Sequence, residues 1–426
     1  MNKIILDKKI ELDLKNKKQS KKNKFLNIKS SDKSIEFPNP KEFHNTISDL
    51  YEDYARVKFK EILNISICKN ASDIHIEPFE DDVIIRIRVD GQLNQILTLD
   101  MDLYSSLSTV IKLDSGMNIT EKRLPQDGRV DIQMDDYTLD IRVSTIPTIH
   151  GEKIVLRILN RQSFIKNKSE LGFSPYAIEK IDNIISKKSG ILLVTGSTGS
   201  GKTTTVYSIL NNLRKNNKNI MTIEDPVEYK IKGINQIQVN SKVGLTFELG
   251  LRSILRQDPD IIMVGEIRDI ETAKTAIRAA STGHLVISTM HTNDAISSID
   301  RLIEMKLPPY LISSTLIGVI SQKLVRRVCE SCRQTTNIND DINIEEYIDV
   351  VGCGECENVG YNGRTAMYEI LEVDDNIKHE IKFWTDSSRI KEIAIESGMI
   401  TFKDSAKYLI ENNITTIEEC GILEGI

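Results

Sequence analysis

The spacing of apolar residues changes several times along this chain, and each change marks an element. Between Glu42 and about Asn70, Ile47, Leu50, Tyr51, Tyr54, Ala55 and Phe59 recur at helical intervals. The stretch ASDIHIEPFEDDVIIRIRVDGQL then moves to period two and predicts two strands. In the second of them Val83, Ile85, Ile87 and Val89 alternate with Ile84, Arg86, Arg88 and Asp90, so Arg86 and Arg88 share a face. Asp90-Gly91 marks a hairpin turn. A helix near Leu103–Leu113, the segment KRLPQDGRVDIQ, and strands around Tyr137–Val143 and Ile154–Leu159 complete a small α/β domain, assigned to residues 42–161. From Phe173 the chain repeats short buried strand, loop and helix, the pattern of a doubly wound nucleotide-binding fold, and residues 173–426 form the second domain.

Length and composition narrow the class. A chain of 426 residues with 40% hydrophobic and 28% charged content is an ordinary soluble protein of two to four domains. The net charge of −6 is uneven: residues 1–40 carry eleven lysines against five acids, a local +6 that leaves −12 for the remainder. The acidic body is a poor match for nucleic acid. Residues 1–40 read as a lysine-rich, mobile arm with weak helical tendency, solvated or drawn to anionic lipid or a partner; Pro38-Asn39-Pro40 closes it. No apolar run approaches the ~18–20 residues that span a bilayer, and Met1–Lys9 is too short in its apolar centre for a signal peptide. The expected location is the cytoplasm, where thiols stay reduced and paired cysteines point to metal.

Chemistry concentrates in the second domain. Ile191–Val194 reads as a buried strand, followed by Gly196-Ser197-Thr198-Gly199-Ser200-Gly201, then Lys202, Thr203, Thr204 and a helical run. This is G-x4-G-K-[ST] in its required setting, a nest of backbone N–H groups at a helix N-terminus. Lys202 can reach the β- and γ-phosphates of ATP, and the Thr203 hydroxyl can ligate Mg²⁺. Two strands end in carboxylates where metal and attacking water are handled: MTIEDPVE, with Glu224, and DIIMVGE, with Glu266. A third, GHLVISTMHT, carries His284 and His291 at its two ends, where a polar group could sense the γ-phosphate. Arg123 and Arg129 flank Pro125-Gln126-Asp127-Gly128, which reads as a rigid turn holding both outward. Cys329-x2-Cys332 and Cys353-x2-Cys356, twenty residues apart, have zinc spacing, and four thiolates leave no vacant position, which makes the Zn²⁺ structural. Cys68 and Cys420 read as lone buried residues.

The ordered motifs ASDIHIEP, RVDG, RLPQDGR, GEKIVLRIL, GSTGSGKTTTVYSIL, TIEDPVEY, LRSILRQDPDIIMVGEIRD, GHLVISTMHTNDA and GYNGRTAMYEIL resemble the assembly ATPases of type IV pili and type II secretion, from about residue 45 onward. The resemblance implies a RecA-like P-loop core, a preceding PAS-like domain, a zinc-binding insertion within residues 325–370, and a homohexamer. It also implies hydrolysis of ATP coupled to assembly of pilin-like subunits, a polytopic inner-membrane platform protein and cytoplasmic accessory proteins as partners, and peripheral association with the cytoplasmic membrane. Glu224 becomes the general base for water or Glu266 does; the other, with Thr203, serves the Mg²⁺ side, and Glu224 is favoured as base. Arg123 and Arg129 become candidates to reach a nucleotide on an adjacent subunit or domain. The long N-terminal docking domain of many members has no counterpart before the shared segment, so docking through another surface is expected. A zinc segment sets the chain apart from the retraction ATPases of pili. A DNA translocase on the same core and a zinc-bearing scaffold that binds ATP as a switch are the alternative readings.

Overall fold

The computed structural model describes residues 27–30, 33–35, 47–133, 138–159, 167–214, 217–339, 344–383 and 386–421. The chain divides into two compact units, Met1–Arg161 and Gln162–Ile426.

The first unit is an eight-stranded antiparallel sheet in the order β2-β1-β6-β7-β8-β3-β4-β5. Its strands are β1 (Asn27–Ser30), β2 (Lys33–Ile35), β3 (Asp73–Pro78), β4 (Val83–Val89), β5 (Gln92–Leu99), β6 (Gln126–Gln133), β7 (Thr138–Thr148) and β8 (Gly151–Leu159). One face is the core: Ile74, Ile76, Ile85, Ile87, Val130, Ile141, Val143 and Leu156 are buried with Phe59, Ile62 and Leu63 of helix Ile47–Cys68 and Leu107, Val110 and Ile111 of helix Met101–Asp114. Tyr54, expected on the helix's inner stripe, is instead exposed. Asp90 and Gly91, both at positive φ, make the β4–β5 turn. Two further expectations change. The lysine-rich arm lies mostly outside the described residues, but Asn27–Ser30 and Lys33–Ile35 are strands, because the backbone of β1 pairs along the edge of β6. The RLPQDGR segment is not a single turn either: Gln126 already begins β6, and Arg129 stands inside the strand opposite Arg142.

The second unit is a seven-stranded sheet in the order β11-β10-β12-β13-β9-β14-β17, parallel except for β17. The strands are β9 (Gly190–Thr195), β10 (Ile220–Glu224), β11 (Asn235–Gln238), β12 (Ile261–Val264), β13 (Leu285–Met290), β14 (Leu316–Val328) and β17 (Tyr361–Glu372); β15 (Arg333–Asn339) and β16 (Ile344–Val350) form a separate pair between β14 and β17. Helices cover both faces, which is why the central strands read as continuous apolar runs. Every residue of β9 and β13 is buried. Alternate residues serve opposite faces: Ile191 and Leu193 join one core cluster, Leu192 and Val194 the other. Because the strands are parallel, the loops after β9, β10, β12 and β13 emerge along one edge. Among the described residues no helix is long and apolar enough to cross a membrane.

Candidate active site

The glycine-rich loop leaves the C-terminal end of β9 and enters helix Lys202–Leu213 through Gly201, whose φ of 87° only glycine adopts without strain. Ser197, Thr198 and Gly199 form its exposed crest, Ser200 is buried, and Lys202, Thr203 and Thr204 make the partly exposed first turn of the helix. Lys202 Nζ donates to the carbonyl oxygens of Gly196 (2.7 Å) and Ser197 (3.0 Å) and stands 3.4 Å from His291 Nδ1. The other nitrogen of that ring, Nε2, is 3.2 Å from Glu266 Oε1. Lys202, His291 and Glu266 therefore form one chain of contacts across the ends of β9, β13 and β12. Burial pulls the Lys202 ammonium below its ordinary pKa against the opposing pull of Glu266. Glu266 also accepts from Arg268 Nε at 2.7 Å. Its backbone is strapped to β13: Thr289 Oγ1 donates to Gly265 O, and Ile267 N to Thr289 O.

Glu224 has a different setting. It ends β10, is 3% exposed, and accepts from Thr222 Oγ1 (2.6 Å) and Gln236 Nε2 (3.1 Å) on Oε1 and from Tyr207 O–H on Oε2. An ionised carboxylate has about four lone-pair sites, so three donors orient this one and leave a single acceptor direction on Oε2. Burial, then the Glu224 charge, drives the Tyr207 phenol well above its ordinary pKa, which keeps it a donor. Tyr207, Thr222 and Gln236 carry no motif signal of their own; helix phase for Tyr207 and strand alternation for Thr222 were the only clues.

The two histidines separate. His291 follows β13 at the edge where the phosphate loop lies. His284 precedes β13, whose first residue pairs with Gly190 at the start of β9, so it stands at the opposite edge of the sheet. There its Nδ1 lies 2.8 Å from Ala279 O and 3.2 Å from Thr282 Oγ1, and the expectation that it joins the site is corrected.

The arginines of the first unit separate as well. Arg123 is 87% exposed and paired with Glu121, whose carboxyl it holds down at about 2. Arg129 makes a two-pronged ion pair with buried Asp140. The register then shows a feature not anticipated from the sequence. Arg129, Arg142, Arg157, Asp73 and Arg88 are directly opposed neighbours across β6, β7, β8, β3 and β4, one row on the face away from the core. Alternation in TLDIRVSTIPT, with Ile141 and Val143 inward, was the available signal for Arg142.

The four cysteines converge. Their sulfurs lie within 4.8 Å of one another, with Cys329–Cys353 at 3.8 Å and Cys332–Cys356 and Cys353–Cys356 at 3.7 Å. Zn–S bonds of about 2.3 Å set tetrahedral sulfurs about 3.8 Å apart, so the donors fit that metal. Cys356 Sγ also accepts from the backbone N–H of Cys353 (3.1 Å) and Gly360 (3.2 Å); despite its burial these donors hold the thiol down at about 6.

Residues 53–421 match the family described as "Type II/IV secretion system protein". The type IV pilus assembly ATPase PilB of Thermus thermophilus is 48% identical over 382 residues, covering 87% of this chain but 43% of that protein. The type II secretion system protein HxcR of Pseudomonas aeruginosa is 46% identical over 349 residues, covering 82% of this chain and 73% of that one. Among solved structures, the pilus retraction motor PilT with bound ADP superposes with a TM-score of 0.61 at 26% identity, covering 84% of this chain and 95% of that one. The Legionella pneumophila ATPase DotB superposes with a TM-score of 0.67 at 23% identity (86% and 95% covered), a likeness of fold.

Proposed function

Since this chain belongs to the type II/IV secretion system protein family, we propose that it is an ATP-hydrolysing motor that drives assembly of pilin-like subunits, in a type IV pilus or a type II secretion pseudopilus. The observation that carries the reading is the contact chain Lys202–His291–Glu266 at the mouth of a glycine-rich nest. Such a nest suits a triphosphate, because inward N–H groups and the helix dipole favour oxyanions.

Residues Gly196 to Thr204 hold ATP in this reading, Lys202 bearing on its terminal phosphates. Thr203 and Glu266 hold Mg²⁺, which when bound neutralises phosphate charge. Glu224, fixed by three donors, turns its remaining lone pair to water and takes its proton as water attacks the γ-phosphorus in line, breaking the bond to the β–γ bridging oxygen so that ADP leaves. His291, between Lys202 and Glu266, registers whether the site is filled. The row Arg129, Arg142, Arg157 and Arg88, and Arg123 in the segment before β6, offer charge to a nucleotide on an adjacent subunit of a homohexamer. Cys329, Cys332, Cys353 and Cys356 hold a structural Zn²⁺. The first unit plays the part of a PAS-like domain within a RecA-like motor that works on the cytoplasmic side with a polytopic platform protein and accessory proteins. Mg²⁺-dependent phosphate release from ATP by the purified chain, measured beside salt-dependent DNA binding, tests this reading. Turnover without DNA binding supports it; nucleotide binding without turnover would favour a scaffold instead.

A further inference from the structure

The phosphate loop rests on β14, and one side chain makes the contact. Gln322 is 1% exposed, and its Nε2 donates to Ser200 O at 2.6 Å, inside the loop. A Cβ on Gly196 would lie 2.3 Å from the Gln322 carbonyl oxygen, and one on Gly201 would lie 3.0 Å from Nε2. Two of the loop's glycines are thus pressed against this single residue. The contact joins strands that are neighbours in the sheet, since Ser321 pairs with Thr195, the last residue of β9 before the loop. Among the described residues Gln322 Oε1, Ser200 Oγ and Thr195 Oγ1 are buried without a hydrogen-bond partner, and the Ser200 carbonyl is the acceptor that orients the carboxamide. A buried polar group with one unmet acceptor has a cost that this contact must offset, which marks the residue as chosen for its donor.

We propose that Gln322 is a positioning residue for the phosphate loop: by drawing the Ser200 carbonyl down onto β14, it turns the neighbouring backbone N–H groups outward toward the phosphates. This rests on the nucleotide reading above. Its reach is longer than the loop, since β14 continues through Val328 into Cys329, and Ser321 Oγ donates to Asn293 O at 3.3 Å in the loop that carries His291. One strand therefore touches the phosphate loop and the histidine loop and leads into the four-cysteine segment.

Binding of a fluorescent ATP analogue and of inorganic tripolyphosphate to the full chain, wild type beside Gln322→Glu and Gln322→Met, separates the possibilities. Donation to Ser200 predicts weaker binding of both ligands, about threefold for Gln322→Met, which only loses the donor, and tenfold or more for Gln322→Glu, which sets a carboxylate oxygen against a carbonyl oxygen. Space filling alone predicts the reverse order, since glutamate is the closer isostere. Thermal midpoint and zinc content, expected within a few degrees and unchanged, confirm that the variants fold. Affinities of both variants within twofold of wild type, or Gln322→Glu milder than Gln322→Met, overturn the inference. Wild type that binds neither ligand would instead overturn the nucleotide reading itself.

Discussion

The phosphate loop and the four-cysteine segment stand on adjoining strands, yet different side chains surround them. The loop is rooted in β9, whose six residues are buried with an apolar cluster on each face, and it is pinned from below by Gln322. The segment between β14 and β17 has, among the described side chains, a cluster of only Val328, Ile348 and Tyr361 with Val350 packed against it. Its four cysteine sulfurs gather there as well, within 4.8 Å of one another. In the proposed reading, Zn²⁺ on these thiolates adds its binding energy to the folding of this excursion. In this reading the phosphate loop rests on apolar packing, while the cysteine segment depends on its proposed ion.

Substitutions that act on one region alone sharpen that contrast. The largest effect is expected for Glu224→Gln, which keeps shape and some hydrogen bonding but removes the base: turnover falls by about 10²–10⁴ while ATP still binds. Rapid phosphate-release assays check it, and Glu266→Gln beside it, losing its Mg²⁺ dependence first, assigns the two roles. Lys202→Ala follows, with a loss of about 10²–10³ in turnover and zinc content unchanged. Cys353→Ser reverses the pattern. Metal analysis should show zinc well below one per chain, hydrogen exchange should quicken in β15 and β16, and ATP affinity should stay within about twofold. Zinc loss that also abolished ATP binding would show that the two regions do not stand independently. The smallest change is Tyr361→Phe, which removes the hydroxyl bonded to Thr416 Oγ1 at 2.9 Å; about 1 kcal/mol of stability is at stake, read by denaturant titration.

The sequence was most readable where a motif is contiguous. The glycine run, Lys202 and the cysteine pairs act through short-range geometry that spacing encodes. So were the buried strands, whose continuous apolar runs follow from having helices on both sides. What could not be read were meetings between distant segments. Nothing in GHLVISTMHT says that His284 and His291 stand at opposite edges of a sheet; that follows from the pairing of Leu285 with Gly190. The proline and glycine of RLPQDGR suggested a turn, but pairing with β7 draws Gln126 onward into a strand and gives Arg129 a buried partner in Asp140. The arginine row exists only once five strands are in register, and Gln322 lies well over a hundred residues beyond the loop it supports.

In the proposed motor, the hydrolytic site is completed by positive charge from another subunit. Lys202 leaves much of the triphosphate's developing charge uncompensated, and an added arginine is worth about 10³–10⁵ in such enzymes. The direct measurement is specific ATPase activity of the full chain across protein concentration, for wild type, Arg129→Ala and Arg123→Ala, with ATP binding measured in parallel. Activity is expected to climb as rings form and to fall steeply in Arg129→Ala at nearly normal ATP affinity. A monomer with full, concentration-independent turnover, untouched by either substitution, would contradict it.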